Sequence, residues 1–329
     1  MQRLPPGLGS LRRVIMPWAQ RLSLVRDKLV VWKSGPDGLQ AIDLGGFQSR
    51  HEAVLGLLEQ ADREHCVPEF GPLLVHTLDR PVSTPEQPWR SYAFCTTDGF
   101  LDVPVPDFVF GGWPEVGIDD FDETCRRVQT AGYEPARLSV VGWIGSARTH
   151  PVRSALLRLG QQHPDLLDVQ QVDWVPDPTQ RRLQSSGGNS LSLGEQAARW
   201  SALLDVEGKG YSGRLKLLLH SGRPVLVQER PWREWFWDSL VPMKNYVPVR
   251  RDLSDLVAKA RWVQQNPQKA EQIGRAGRDL ARRLLTRTSA VEQWARAMRT
   301  ASGHPAQGWA PPPLREALKP VLRRLGADG

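Results

Sequence analysis

Two hydrophobic rhythms alternate along this chain. Short, nearly continuous apolar runs at residues 73–78, 137–143, 168–174 and 225–228 are compact enough for buried strands, and Tyr246-Val247-Pro248-Val249 reads the same way. Between them, residues 50–63, 119–131 and 152–163 carry apolar positions at helical spacing. A further helix opens at Asp252-Leu253-Ser254-Asp255-Leu256 and runs to about Gln265. Nearer the start, Lys28–Lys33 and residues 39–44 predict a hairpin around Gly35-Pro36-Asp37-Gly38. Strands alternating with helices in both halves imply a doubly wound α/β architecture with ligands at the carboxyl ends of the strands.

The interruptions are equally informative. Pro81 and Pro85 forbid a helix directly after strand 73–78, and the proline-, glycine- and aromatic-rich stretch 100–118 has the composition of a loop over a cleft. Residues 177–194, polar and containing Ser185-Ser186-Gly187-Gly188-Asn189, read as a mobile loop. There is no internal repeat.

A length of 329 residues with 40% hydrophobic content suits two domains, each with its own core. No run approaches a membrane span, and the N-terminus has no apolar stretch followed by a cleavage-site pattern. Cys66, Cys95 and Cys125 are odd in number and widely spaced, which predicts free thiols and a cytoplasmic location. The net charge of +7 favours an anionic partner without choosing among sugar nucleotides, nucleic acid and a membrane surface, and no nucleic-acid motif is present. Two terminal segments add basic amphipathic patterns, one with Leu11, Ile15, Trp18 and Leu22, the other with Leu314, Leu318, Val321 and Leu325. Each fits either a helix docked on the body or a peripheral contact with an anionic membrane.

The strongest chemical signal is Gly208-Lys209-Gly210-Tyr211-Ser212-Gly213-Arg214, set between a strand and a helix. Glycines at 208, 210 and 213 are expected to turn through positive φ and admit a ligand close to the backbone, while the following helix offers free N–H groups. Arg214 adds a forked cationic donor in the first turn. No Gly-Lys-Ser or Gly-x-Gly-x-x-Gly pattern accompanies it, so the loop alone is equally a tight turn with an exposed arginine.

Its surroundings resemble one family, glycosyltransferase family 90, which contains the animal protein O-glucosyltransferases and the fungal capsule-associated xylosyltransferases. The resemblance rests on Gly208, Ser212 and Arg214 in the loop, and on Ser221, Gly222, Val225 and Leu226 at the next strand. It continues through Trp232, Trp235, Phe236 and Trp237, the Tyr-Val-Pro-Val strand and the Asp-Leu-Ser-Asp-Leu helix start. It implies a GT-B fold, two Rossmann-like domains facing across a cleft. Residues 1–135 would be the acceptor side, 136–300 the nucleotide-sugar side, and 301–329 a helical tail. The activity implied is inverting, metal-independent transfer of glucose or xylose from a UDP-sugar to a saccharide or lipopolysaccharide-type acceptor, a glycan or glycolipid. No cofactor or metal is implied. The alternative is a nucleotide-sugar-binding module that performs no transfer.

Residue by residue, the resemblance makes Asp79, at a strand end and followed closely by Pro81, the base that deprotonates the acceptor. Gly145 to Arg153 resembles the family's nucleotide-contacting element, which implies donor binding by Ser146, Arg148, Thr149 and Arg153. Ile144 stands where an arginine is usual, and Ala147 adds one residue to the spacing. Trp113 and Glu115 resemble the Trp-Pro segment beside the acceptor. Glu229, just after strand 225–228, could accept from a ribose hydroxyl or be a solvated loop carboxylate. The acidic run Asp119-Asp120-Phe121-Asp122 reads as a helix start rather than a metal site.

The chain also departs from its animal relatives, which are disulfide-bonded proteins of the secretory pathway with a retention signal. It ends instead in Arg-Leu-Gly-Ala-Asp-Gly.

Overall fold

The computed structural model describes residues 12–15, 26–34, 38–86, 88–172, 174–176, 183–185, 190–302 and 310–324, with backbone alone at 12–15, 174–176 and 183–185. The chain is α/β throughout and divides into two compact units. The first comprises Met1–Gly111, Trp232–Trp235 and Arg287–Gly329, and the second Gly112–Pro231 and Phe236–Thr286. This division differs from a boundary near 135. Helix α2 (Phe121–Tyr133) lies in the second unit because it packs on two helices there, α4 (Leu193–Arg199) and α5 (Leu215–Leu219).

The first unit holds a mixed sheet of six strands: β1 (Arg12–Ile15), β2 (Lys28–Lys33), β3 (Leu39–Asp43), β4 (Phe70–His76), β5 (Ser91–Ala93) and β6 (Val103–Pro104). Their order is β1-β3-β2-β4-β5-β6. The hairpin of β2 and β3 forms as expected, with Val30 opposite Ile42. Strand β4 is buried but antiparallel to β2, and parallel only to β5. Residues 12–15 are a strand parallel to β3, not part of an amphipathic helix; Leu11, Trp18 and Leu22 lie outside the described residues. Helix α1 (Gln48–His65) ends where Cys66 takes the left-handed conformation and returns its N–H to Asp62 O.

Two late helices complete this unit. Helix α8 (Arg287–Ser302) buries Ala290, Val291, Trp294, Ala295, Ala297 and Met298 and packs on α1 and β4. Helix α9 (Pro312–Arg324) buries Leu314, Leu318 and Leu322 against Val30, Trp32, Ile42, Leu44 and Leu74. The second amphipathic pattern is therefore a docked helix, with Lys319, Arg323 and Arg324 left exposed. Leu325 lies outside the described residues.

The second unit is built on a five-stranded, all-parallel sheet of β7 (Leu138–Gly145), β8 (Leu167–Gln171), β11 (Trp200–Asp205), β12 (Val225–Gln228) and β13 (Val247–Val249). The order β13-β12-β11-β7-β8 reverses direction between β7 and β11, the switch point at which doubly wound sheets leave a crevice at the carboxyl ends. Helices α3 (Pro151–Gln162), α6 (Leu256–Gln265) and α7 (Pro267–Leu284) cover Val141, Trp143, Ala202, Leu204 and Leu226. Along α7 the buried Ala270, Ile273, Gly274, Gly277, Leu280 and Ala281 recur at helical spacing. An added Cβ at Gly274 would stand 2.2 Å from Gly222 O, so only glycine permits that approach.

Caps set the helix starts. Asp120 accepts from Glu123 N at 2.7 Å, making the acidic run the beginning of α2. Ser192 and Glu195 form a reciprocal capping box on α4. Within the stretch read as a loop, β10 (Leu183–Ser185) pairs antiparallel with β9 (Trp174–Pro176); residues 177–182 and 186–189 lie outside the described residues.

Cross-strand register places Lys28 opposite His76 on β2 and β4, both almost wholly buried. Burial lowers the Lys28 ammonium to about 8 despite the attraction of Asp27 and Asp102, and burial with Lys28 beside it lowers His76 to about 3. A base whose folded pKa is depressed destabilises the fold below that pKa, and the penalty disappears as pH rises to its unfolded value. Lys28→Met should therefore raise stability at pH 7 by roughly 2 to 3 kcal/mol, with no gain above the ordinary lysine pKa of 10.5. Denaturant unfolding at the two pH values measures this; an equal effect at both would refute it.

Candidate functional site

At the switch point of the second unit three arginines converge. Strand β11 ends on Asp205, whose carboxylate is fully buried; Oδ1 accepts from Ser212 Oγ at 2.6 Å and Oδ2 lies 2.7 Å from Arg230 Nη1. The Arg230 side chain is also 0% exposed, and among the described residues none of its three guanidinium nitrogens makes an aligned hydrogen bond. Its partnership with Asp205 is thus Coulombic, and its N–H vectors point elsewhere. Arg214 donates from Nη1 to Ile144 O at 2.7 Å, while its buried Nη2 has no hydrogen-bond partner among the described residues.

Arg153 is more committed. Its Nε donates to Glu207 O at 2.9 Å, Nη1 to Ser146 O at 3.1 Å and Nη2 to Val206 O at 3.3 Å, bracing the ends of β7 and β11 against each other. Burial first, then repulsion from Arg214 and Arg230, lowers its guanidinium to about 10, with Asp205 and Glu207 partly opposing. Burial also lowers Arg214, with Asp205 pulling up and Arg230 down. Both stay charged at neutral pH, so like charges are held together at a cost that an anion would relieve. The Trp143 ring forms a common floor, with Arg153 Cζ 5.4 Å and Arg214 Cζ 5.9 Å from its centroid.

The glycine loop achieves its shape differently from expectation. Gly208, Gly210 and Gly213 are not among the positive-φ glycines. The loop is held instead by Ser212 on Asp205, and an added Cβ at Gly208 would meet only Arg153 Nη2, at 3.4 Å. Glycine there keeps the backbone close to a guanidinium. The helix after the loop is also shorter than expected. Helix α5 has five residues and Arg214 is its N-cap, so side-chain guanidinium groups rather than a long helix dipole supply the positive field.

The remaining predicted donor-site residues divide. Ser146 caps the turn after β7, where Thr149 Oγ1 donates to Ser146 O at 3.1 Å, while Arg148 is exposed. Tyr211 is buried with Lys216 Nζ 5.5 Å from its ring centroid; Lys209 is exposed. Glu229 is exposed at the end of β12 and contributes to raising the Tyr246 phenol, after burial. Trp113 and Glu115 belong to the second unit, in a turn closed by Trp113 N on Ile118 O at 2.6 Å; Glu115 Oε2 is buried without a hydrogen bond. Sequence reasoning missed Asp205 and Arg230. An acidic residue closing an apolar strand was the available signal for Asp205, and Arg230, one position beyond Glu229, offered none.

In the first unit Asp79 lies three residues past the end of β4 rather than on it. Its side chain is 30% exposed, with Oδ1 2.8 Å from Arg50 Nη1. His76 is buried in β4, His220 donates or accepts between Gln129 and Leu285 O, and His150 caps α3. Each has a structural position of its own.

The model of the family described as Glycosyl transferase family 90 matches residues 72–300. This chain belongs to that family. Human protein O-glucosyltransferase 3 is 31% identical over 133 residues, covering 40% of this chain and 26% of the relative. Human protein O-glucosyltransferase 1 is 25% identical over 222 residues, 62% of this chain and 54% of the relative. A protein of invertebrate iridescent virus 3, 035R, is 30% identical over 201 residues, 53% of this chain and 18% of its own. The family 90 chain described here thus spans little more than half of these relatives at most. Among solved structures, TarM matches with TM-score 0.36 and 14% identity over 50% of this chain and 36% of its own. Anabaena HepE in complex with UDP-glucose matches with TM-score 0.34 and 12% identity over 53% and 44%.

The two arginines differ in what they hold. Arg230→Ala leaves Asp205 buried and uncompensated and should cost roughly 3 to 5 kcal/mol. Arg214→Met keeps that pair and should lose the response to nucleotide instead. With wild type, UDP at about a hundred times its Kd should stabilise by about 2.7 kcal/mol, and Arg214→Met should show a much smaller gain. Thermal melts with and without UDP decide this; equal UDP responses in wild type and Arg214→Met would remove Arg214 from the site.

Proposed function

We propose that this chain is an inverting, metal-independent glycosyltransferase that moves glucose or xylose from a UDP-sugar to a saccharide or lipopolysaccharide-type acceptor. The observation that carries the reading is the cluster at the switch point, where Arg214 Nη2 and the Arg230 nitrogens are buried and without aligned hydrogen bonds. In a family 90 chain, a diphosphate is the ligand that matches charge, forked donors and position together.

The acceptor hydroxyl passes its proton to Asp79 as its oxygen forms the new bond to the anomeric carbon. The bond from that carbon to the β-phosphate oxygen breaks, and its electron pair leaves with UDP. Negative charge growing on the diphosphate is stabilised by Arg214 and Arg230, with Arg153 bracing the ends of β7 and β11. Guanidinium charge performs here what a divalent ion performs elsewhere. Ser146, Thr149, Gly208 and Ser212 shape the donor pocket, Glu229 is placed for a ribose hydroxyl, and Trp113 with Glu115 for the acceptor.

The exposed Lys319, Arg323 and Arg324 of α9 suit an anionic membrane face, the apolar side of that helix being occupied. The thiols of Cys66 and Cys125, outside any disulfide, suit the cytoplasm.

Release of UDP from UDP-glucose and UDP-xylose, with water or added glycans as acceptor, tests the proposal. Wild type should turn over one of them at an unchanged rate after chelation by EDTA. Asp79→Asn should lose at least about a hundredfold in kcat, with UDP affinity kept within about twofold. UDP binding without turnover of any donor would favour the binding-module reading, and dependence on a divalent ion would overturn the arginine mechanism.

A further inference from the structure

The first turn of α1 grips the segment that carries Asp79. His51 is fully buried, with Nδ1 2.8 Å from Asp43 Oδ1 and Nε2 2.8 Å from Thr77 Oγ1. The Thr77 hydroxyl also lies 2.9 Å from Asp27 O. The Thr77 N–H also donates to Asp27 O, at 2.9 Å. Strand end and helix are thereby tied through buried, directional bonds.

Arg50, one residue earlier, completes the grip. Its Nη1 donates to Thr77 O at 3.0 Å and to Asp79 Oδ1 at 2.8 Å. The guanidinium stands 4.5 Å from the ring centroids of both Phe47 and Phe108, and its side chain is 12% exposed. Aromatic contacts on that planar group restrict its rotation, and the Thr77 carbonyl fixes its distance from the loop. Cys95 Sγ, 3.4 Å from Asp79 O, holds the backbone of the same residue. Among the described residues, Arg50 is the side chain paired with the Asp79 carboxylate, and it engages one oxygen only.

We propose that Arg50 is a positioning residue for Asp79. By holding Oδ1, it turns Oδ2 outward as the atom that takes the acceptor proton. This rests on the reading of Asp79 as the base. A carboxylate three residues beyond its strand, 30% exposed, would otherwise sample several rotamers, and proton abstraction requires one. Arg50 touches neither donor nor acceptor in this role and acts through the carboxylate alone.

A double-mutant cycle on UDP release from UDP-glucose, with water as acceptor, tests the assignment. Arg50→Ala should lower kcat by about 10- to 100-fold while KM for UDP-glucose stays within about twofold, and Arg50→Lys, which keeps a donor, should recover part of the loss. In the Asp79→Asn background, Arg50→Ala should produce no further fall, because the group it positions is already gone. If Arg50→Ala does not fold, Arg50→Lys and Arg50→Gln run through the same cycle.

Wild-type kcat in the Arg50 variants, or a fall of equal size with and without Asp79, would overturn the positioning role while leaving the base in place. Wild-type kcat in Asp79→Asn would instead remove the base assignment, and this role with it.

Discussion

A carboxylate with no access to water governs the second unit. Asp205 closes β11 at the point where sheet order reverses, and an ionised carboxylate there is tolerable only if both oxygens are compensated. Ser212 donates a hydrogen bond to one and the Arg230 charge stands beside the other, which fixes the glycine loop on one side and the exit of β12 on the other. The arginine crowding follows from this. Once Arg230 is drawn in by Asp205, Arg214 and Arg153 lie in its field, and the carbonyls of Ile144, Ser146, Val206 and Glu207 together with the Trp143 ring hold them in place. The result is a crowd of three guanidinium groups against two buried carboxylates, Asp205 and Glu207.

Asp79 is built on the opposite logic. Where Asp205 is sealed with a partner beside each oxygen, Asp79 is partly open and engaged on one side, which under the proposed reading suits a group that must gain and lose a proton. Under the proposed function, environment separates structural from reactive duty in the same kind of side chain. Burial and full compensation make Asp205 a fixed point; exposure and half compensation leave Asp79 a free lone pair.

Much of this was legible in the sequence because local signals agreed. The β2–β3 hairpin, α2 with its Asp120 cap, α3 after Pro151, and the apolar β12 and β13 were all marked by pattern and punctuation together. The segment around Arg214 stood out by composition. What it could not display was the reason for its shape. Its glycines suggested positive φ, whereas a hydroxyl reaching back seven residues to Asp205 holds the turn. Nonlocal causes were invisible in the same way. Arg230 matters through a strand-to-strand neighbour, and β4 is antiparallel to β2 because of a pairing that no run of Leu and Val specifies. The N-terminal pattern around Ile15 had helical spacing, yet the edge of β3 offered residues 12–15 a ladder.

The chain path through the first unit carries a kinetic consequence. Its sheet is laid down early, but the apolar face of β2 and β3 is covered by Leu314, Leu318 and Leu322, and β4 by α8. During synthesis the second unit can close once residue 286 leaves the ribosome, whereas the first must wait for the last helix. For that interval Val30, Trp32, Ile42 and Leu74 lack their cover, and strand-rich apolar surface of this kind attracts self-association.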